Sequence, residues 1–265
     1  MKNWIKAVEA HHALVKAMAD EHNDYQVIWT AAIGSMNYGL DNENSDCDTF
    51  SIVLPNYFDF ISNTNFISFE TEVNDGKCVV KDFRLMMNLL RKTSPNSVEV
   101  FASKYKIFEP AYEDVEKTFF NSDTMFYLTH ANYKHMLNAI AGMAHQLHGR
   151  NMTDGKRYSH ALRLEDTEQR FLHDKPYLGN SLLSFLSDYN CNVAREAKFD
   201  TTDTNNLLYK NQTELISAHL MDVVNNFNVT PEQKSVEYTA NHTINRLQFE
   251  VTKIYLKQNN FMYKE

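Results

Sequence analysis

The sequence predicts an α+β protein: a mixed sheet with flanking helices, followed by an α-helical domain. Three observations predict it. Two apolar runs, 27–33 and 50–54, stand either side of a polar loop, and two strand-like stretches, 66–73 and 77–81, flank the tight-turn triplet Asn74-Asp75-Gly76. From about residue 122 the apolar residues recur at helical spacing. Only 7 Gly and 5 Pro among 265 residues leave little room for long linkers and favour a helix-rich body. The composition changes near residues 110–122, which divides the chain into an α/β domain over 1–115 and an α-helical domain over 116–265.

Each element has a local reason. Trp4, Ile5, Val8, Leu14, Val15 and Met18 give residues 4–20 a helical apolar pattern. A strand over 27–33 leads to a short turn or helix start at 35–39, and a second strand over 48–54 is closed by Pro55. Residues 58–65 form a loop with some helical character. Asp82 is placed to N-cap a helix over 83–92, with Leu85, Met86, Leu89 and Leu90 inward. Ser94-Pro95-Asn96 breaks that helix, and another short one follows over 97–102. Further helices are predicted over 125–147, 158–172, 180–186, 205–225 and 231–257. No repeat or low-complexity tract interrupts them.

Composition narrows the function. The net charge is −8, whereas a protein coating a long nucleic acid is normally basic, so extended DNA binding is not expected. A short RNA end held locally, a protein or a small molecule are the compatible acceptors. The first residues lack the apolar core of a signal peptide and no stretch approaches a membrane span, so no membrane partner is expected. Three isolated cysteines (Cys47, Cys78, Cys191) fit a reducing, cytoplasmic setting without a disulfide framework.

The most informative stretch is 34–48, Gly-Ser-Met-Asn-Tyr-Gly-Leu-Asp-Asn-Glu-Asn-Ser-Asp-Cys-Asp. Gly34-Ser35 ends the first apolar run, where backbone N–H groups and a hydroxyl can meet a phosphate. Asp46 and Asp48 open the second run. At i and i+2 on a strand they share a face, and their mutual repulsion is relieved by a divalent cation, Mg²⁺ or Mn²⁺. A phosphate cradle beside paired Asp is the equipment of metal-assisted nucleotidyl transfer.

Gly-Ser, a spacer and Asp-x-Asp resembles the polymerase-β-like nucleotidyltransferase superfamily. The longer form, Gly34-Ser35-x-x-Tyr38-Gly39 then Ser45-Asp46-x-Asp48, is similar to an RNA-repair-associated nucleotidyltransferase family of bacteria and their phages. Two later segments extend the resemblance. One runs from Phe83-Arg84 through Leu90-Arg91-Lys92-Thr93-Ser94-Pro95-Asn96 to Glu99. The other is Lys156-x-x-x-His160-x-x-Arg163, whose members share one helical face. The resemblance implies a nucleotidyltransferase-type sheet and an enzyme that moves a nucleoside monophosphate from a nucleoside triphosphate to an acceptor hydroxyl, such as an RNA end. It implies Asp46 and Asp48 as catalytic metal ligands. Gly34, Ser35, Lys156, His160 and Arg163 become the nucleotide-binding residues.

The chain departs from that pattern at one place. A third carboxylate is expected on a later strand near position 77, where this chain has Lys77. Asp75, Asp82, Glu70 and Glu72 stand nearby as substitutes. Lys77 therefore keeps open a second reading, a catalytically silent nucleotide-binding or inhibitor protein. A third reading, an enzyme that nucleotidylates a protein side chain, fits the acidity. Arg84 and Glu99 read equally as surface charges. The histidines at 11, 12, 135, 145 and 148 read as structural, because no carboxylate or cysteine stands at a metal-ligand offset from them.

Overall fold

The computed structural model describes residues 3–22, 24–73, 76–173, 183, 185 and 187–259. Helix α1 (Trp4–His22) leads into β1 (Tyr25–Ile33), a 3-10 turn over Ser35–Tyr38, and β2 (Asp48–Pro55). A short α2 (Tyr57–Ser62) precedes the hairpin of β3 (Ser68–Val73) and β4 (Gly76–Asp82), followed by α3 (Phe83–Lys92), α4 (Pro95–Ala102) and β5 (Lys106–Phe108). The remainder is helical: α5 (Glu113–Phe119), α6 (Ser122–Thr129), α7 (Tyr133–Gln146), α8 (Asp154–His173), α9 (Asp188–Phe199), α10 (Asn206–Asn226) and α11 (Pro231–Gln258). The predicted mixed sheet with flanking helices and a helical second part is what the chain forms.

The sheet order is β3-β4-β2-β1-β5, with β2 and β4 parallel and the other pairs antiparallel. One face is covered by α1, where Val15 and Ala19 meet Val27, Val53, Cys78 and Val80. His11 and His12 are buried on this face and bonded to Thr49 and Thr30 (2.9 and 3.0 Å), so these two histidines serve the core. The other face carries the main core. Trp29 stacks on Phe108 and meets Phe101, Phe120 and Phe83 edge-on. Helix α11 returns to this core with Ile244, Leu247 and Val251, and Tyr255 donates to the carbonyl of Pro55 (2.8 Å). The division expected between residues 115 and 116 falls inside α5, whose Val115 and Phe119 belong to the core that also holds Trp29. A second apolar cluster joins α7, α8 and α10 through Met136, Ile140, Leu164 and Leu220.

Several elements differ from expectation. The helix expected over 125–147 is two helices. Thr129 turns its hydroxyl back to the carbonyls of Met125 and Phe126, and Asn132 accepts from the backbone N–H of His135, so α6 stops and α7 receives a fresh cap. His130, in the break, is fully buried between Phe126 and Phe171, and burial pushes its pKa down to about 4. The helix expected from 97 begins at Pro95, capped by Ser94. In α3, Met87 joins Met86 and Leu90 in the core, with the half-buried Leu89 packed against it as expected, whereas Leu85 is not part of that core. Strand β5 and helices α5 and α9 were not expected. The helix expected over 180–186 and the residues Asn74 and Asp75 lie outside the described residues, apart from Leu183 and Phe185.

Candidate active site

The Gly34-Ser35 turn is held from beneath. β1 ends at Ile33, opposite Asp48 of β2, and Gly34 takes φ 95°, a left-handed backbone that favours glycine. The backbone N–H of Gly34 donates to Oε1 of the buried Glu99 (2.5 Å). The amide of Asn37 donates to the same oxygen (3.2 Å) and to the carbonyl of Ala32 (2.9 Å), and Ser103 donates to Asn37 Oδ1 (2.9 Å). Tyr38 is buried and hydrogen-bonded to Glu99; burial and the Glu99 charge raise its pKa. Burial likewise raises that of Glu99, against the opposing pull of Arg163 and of its hydrogen-bond donors. Glu99 is thus no surface charge. It fixes the turn, and it occupies the Gly34 N–H that sequence reasoning assigned to phosphate. Gly34 and the half-buried Ser35 both line the cavity, and Ser35 brings a hydroxyl to it.

The paired carboxylates follow. Residues 42–45 fold on themselves, with Asn42 Oδ1 accepting from the backbone of Asn44 (2.9 Å) and the hydroxyl of Ser45 (3.2 Å), and Asp46 emerges exposed. Asp48 opens β2, half-buried, and its Oδ1 accepts from the backbone N–H of Lys77 (3.0 Å). Gly76 makes this approach possible. A Cβ there would stand 2.5 Å from the Cys47 carbonyl oxygen and 3.1 Å from Asp48 Oδ1, and its φ is 150°. The sequence showed Gly76 only as a turn residue; the closeness of β4 to Asp48 is what makes it part of the site.

Across the cavity stands α8. A space of about 390 Å³ is lined on one side by Gly34, Ser35, Asp46 and Asp48 and on the other by Lys156, His160 and Arg163. All seven residues singled out from the sequence are brought together. Arg163 lays its guanidinium over the Tyr38 ring, 4.4 Å from the centroid, which ties the helical part to the motif loop. His160 is pushed down to about 3, first by burial and then by Arg163, Lys156, Lys198 and Arg150, so the imidazole is neutral near pH 7. Two further lining residues come from the unexpected helix α9. Lys198 donates to the carbonyl of Leu40 (2.6 Å), and Phe199 lies beside it. Burial, and next the charge of Lys156, bring the Lys198 pKa down to about 8, opposed by Asp41.

The candidates for a third carboxylate sort as follows. Asp82 is fully buried in a fork with Arg84 (2.7 and 3.0 Å) and caps α3. It pairs with Val53, five residues along β2 from Asp48, or about 16 Å at the usual strand rise. Arg84 is structural: it also donates to the carbonyls of Asp59 and Thr64 and packs over Phe66. Glu72 pairs with Lys77 across the hairpin, and Glu70 takes the Lys77 ammonium at 2.8 Å, so that ammonium is directed to Glu70. Asp75 is outside the described residues. Among the described residues no group of three or more His, Cys, Asp and Glu could hold a metal ion.

With this geometry in view, one comparison is decisive. The model of the RNA repair pathway DNA polymerase beta family matches residues 8–165, more than half of the chain. The chain belongs to that family. The match takes in the turn, both aspartates, Glu99 and the Lys156–Arg163 stretch, and it stops before α9. Membership in a polymerase beta family indicates nucleotidyl transfer as the class of activity. No individually curated protein matches the chain. Among the described residues no helix is long and apolar enough to cross a membrane.

Proposed function

We propose that the protein transfers a nucleoside monophosphate from a nucleoside triphosphate to the terminal hydroxyl of an RNA. In this reaction the acceptor oxygen bonds to the α-phosphorus, the bond from that phosphorus to the bridging oxygen breaks, pyrophosphate leaves, and the hydroxyl proton passes to water. The single observation that carries the reading is the cavity that sets Asp46 and Asp48 against Lys156 and Arg163.

The donor set fits Mg²⁺ or Mn²⁺. Mg²⁺ is commonly bound by one or two carboxylates, retained waters and substrate phosphates, and here one carboxylate is exposed and the other accepts the backbone N–H of Lys77. Asp46 and Asp48 would hold it, and bound there it supplies neutralising charge to the phosphates. Ser35 donates its hydroxyl to a phosphate oxygen. Lys156 and Arg163 neutralise the triphosphate, with Arg163 kept in place by its stacking on Tyr38. Neutral His160 serves as a hydrogen-bond partner rather than a charge. Glu99 orients the Gly34-Ser35 turn. A cytoplasmic setting is part of this proposal, and the free thiols of Cys47, Cys78 and Cys191 support it.

Lys77 favours one second reading. A lysine backbone holds Asp48 where the third carboxylate is expected, and this suits a nucleotide-binding protein without turnover. Incubation with each α-labelled ribonucleoside triphosphate, Mg²⁺, RNA and a protein mixture decides. Label joined covalently to RNA, with pyrophosphate released, is the expected result. Label on protein reassigns the acceptor. Bound nucleotide with no pyrophosphate release leaves the silent binder.

A further inference from the structure

Two lysines from different helices are brought together at the cavity by a backbone contact. A Cβ on Gly155 of α8 would lie 2.1 Å from the carbonyl oxygen of Ala197 in α9, so only glycine lets the two helices touch there. The next residue in each helix is a lysine, Lys156 and Lys198, and both line the cavity. Among the described residues neither ammonium has a salt bridge to a carboxylate; Lys198 rests on the Leu40 carbonyl. Lys156, Arg163 and Arg195 all act against the charge of Lys198, and Asp41 acts for it. A protein of net charge −8 that gathers cations in one cleft has built a place for an anion of high charge.

We infer that Lys198 is a third cation of the triphosphate site, set beside Lys156 by the Gly155–Ala197 contact, and that it makes the site prefer a triphosphate to a single phosphate. This rests on the nucleotidyl-transfer reading and extends it past residue 165, where the family match ends. A single phosphate, including one in an RNA backbone, is satisfied by fewer cations, so its binding is less sensitive to Lys198.

Calorimetry on the full chain with Mg²⁺ tests the inference, using inorganic tripolyphosphate, orthophosphate and each of the four ribonucleoside triphosphates. Lys198→Met is expected to weaken tripolyphosphate and the bound nucleotide about tenfold while changing orthophosphate little, and Lys198→Arg to restore most of the loss. Gly155→Ala is expected to act in the same direction, with circular dichroism showing whether the helices survive; if that variant does not fold, Lys198→Met decides alone. Equal affinities of wild type and Lys198→Met for tripolyphosphate overturn the inference and leave the proposed function standing. Equal losses for tripolyphosphate and orthophosphate overturn the preference. A wild type that binds no triphosphate overturns the proposed function and this inference with it.

Discussion

The acidic side of the cavity comes from one short segment, residues 34–48, while the cationic side is gathered from α8 and α9, with contributions spread from Lys156 to Lys198. The first is fixed by hydrogen bonds to backbone: Gly34 to Glu99, Asn37 to Ala32, and the Lys77 N–H to Asp48. The second is fixed by helix packing, by the stacking of Arg163 on Tyr38 and by the Gly155–Ala197 contact. Backbone bonds hold a carboxylate with the small tolerance that metal binding needs. Long cationic side chains reach a phosphate from a looser frame. The acidic side should therefore fail sharply when altered, and the cationic side by degrees.

The largest expected effect tests the sharp side. Asp46→Asn with Asp48→Asn should lower the rate of transfer by about 10³-fold or more and abolish Mn²⁺ binding. Thermal melting should show the fold intact or more stable, since two like charges are gone. Next, Lys156→Met and Arg163→Met should each weaken triphosphate binding by about ten- to a hundredfold while leaving Mn²⁺ binding to the free protein in place. A loss of metal binding in these variants would break the division between the two sides.

Gly76→Ala addresses the frame behind Asp48. The added methyl meets the Cys47 carbonyl and forces a strained φ, so stability should fall by about 1–3 kcal/mol, with weaker Mn²⁺ binding beside it. Denaturant titration and calorimetry read the two effects separately. A smaller effect is set by pH. Lys198 loses its proton near pH 8 in the folded protein, and a bound phosphate draws that proton back, so triphosphate affinity should fall as pH rises through about 8, by at most tenfold per unit. The unfolded chain keeps that proton up to about pH 10.5, so this residue's contribution to folding stability improves across the same window as pH rises. Lys198→Met should flatten both profiles. The least effect on stability, read by denaturant titration, is expected for Lys77→Ala, whose ion pair with Glu70 is half-exposed at both ends.

The same contrast explains what could be read in the sequence. The acidic side was legible because its chemistry is contiguous: Gly-Ser at a strand end and Asp-x-Asp at the next strand start survive as a pattern. Asp82 as a cap, the β3–β4 hairpin and the helical face of Lys156, His160 and Arg163 were legible for the same local reason. The role of Glu99 was not, because it lies 65 residues from the Gly34 it holds, and nothing near it in the sequence shows that it is buried. Helix α9 was missed because only Ala194 and Ala197 are buried along it, leaving no apolar stripe to mark it, and Lys198 was missed with it. Strand β5, three residues long, exists through its pairing with Trp29, Thr30 and Ala31 rather than through any period of its own.

The central claim is that both sides grip one metal–triphosphate. A crystal grown with Mn²⁺ and a triphosphate analogue that resists cleavage between the α- and β-phosphorus tests it most directly, because anomalous scattering locates the metal independently of the nucleotide. The account predicts a Mn²⁺ peak bonded to carboxylate oxygens of Asp46 and Asp48, with the triphosphate running from that ion to Lys156 and Arg163. A metal bound elsewhere, or a triphosphate seated away from these residues, would contradict it.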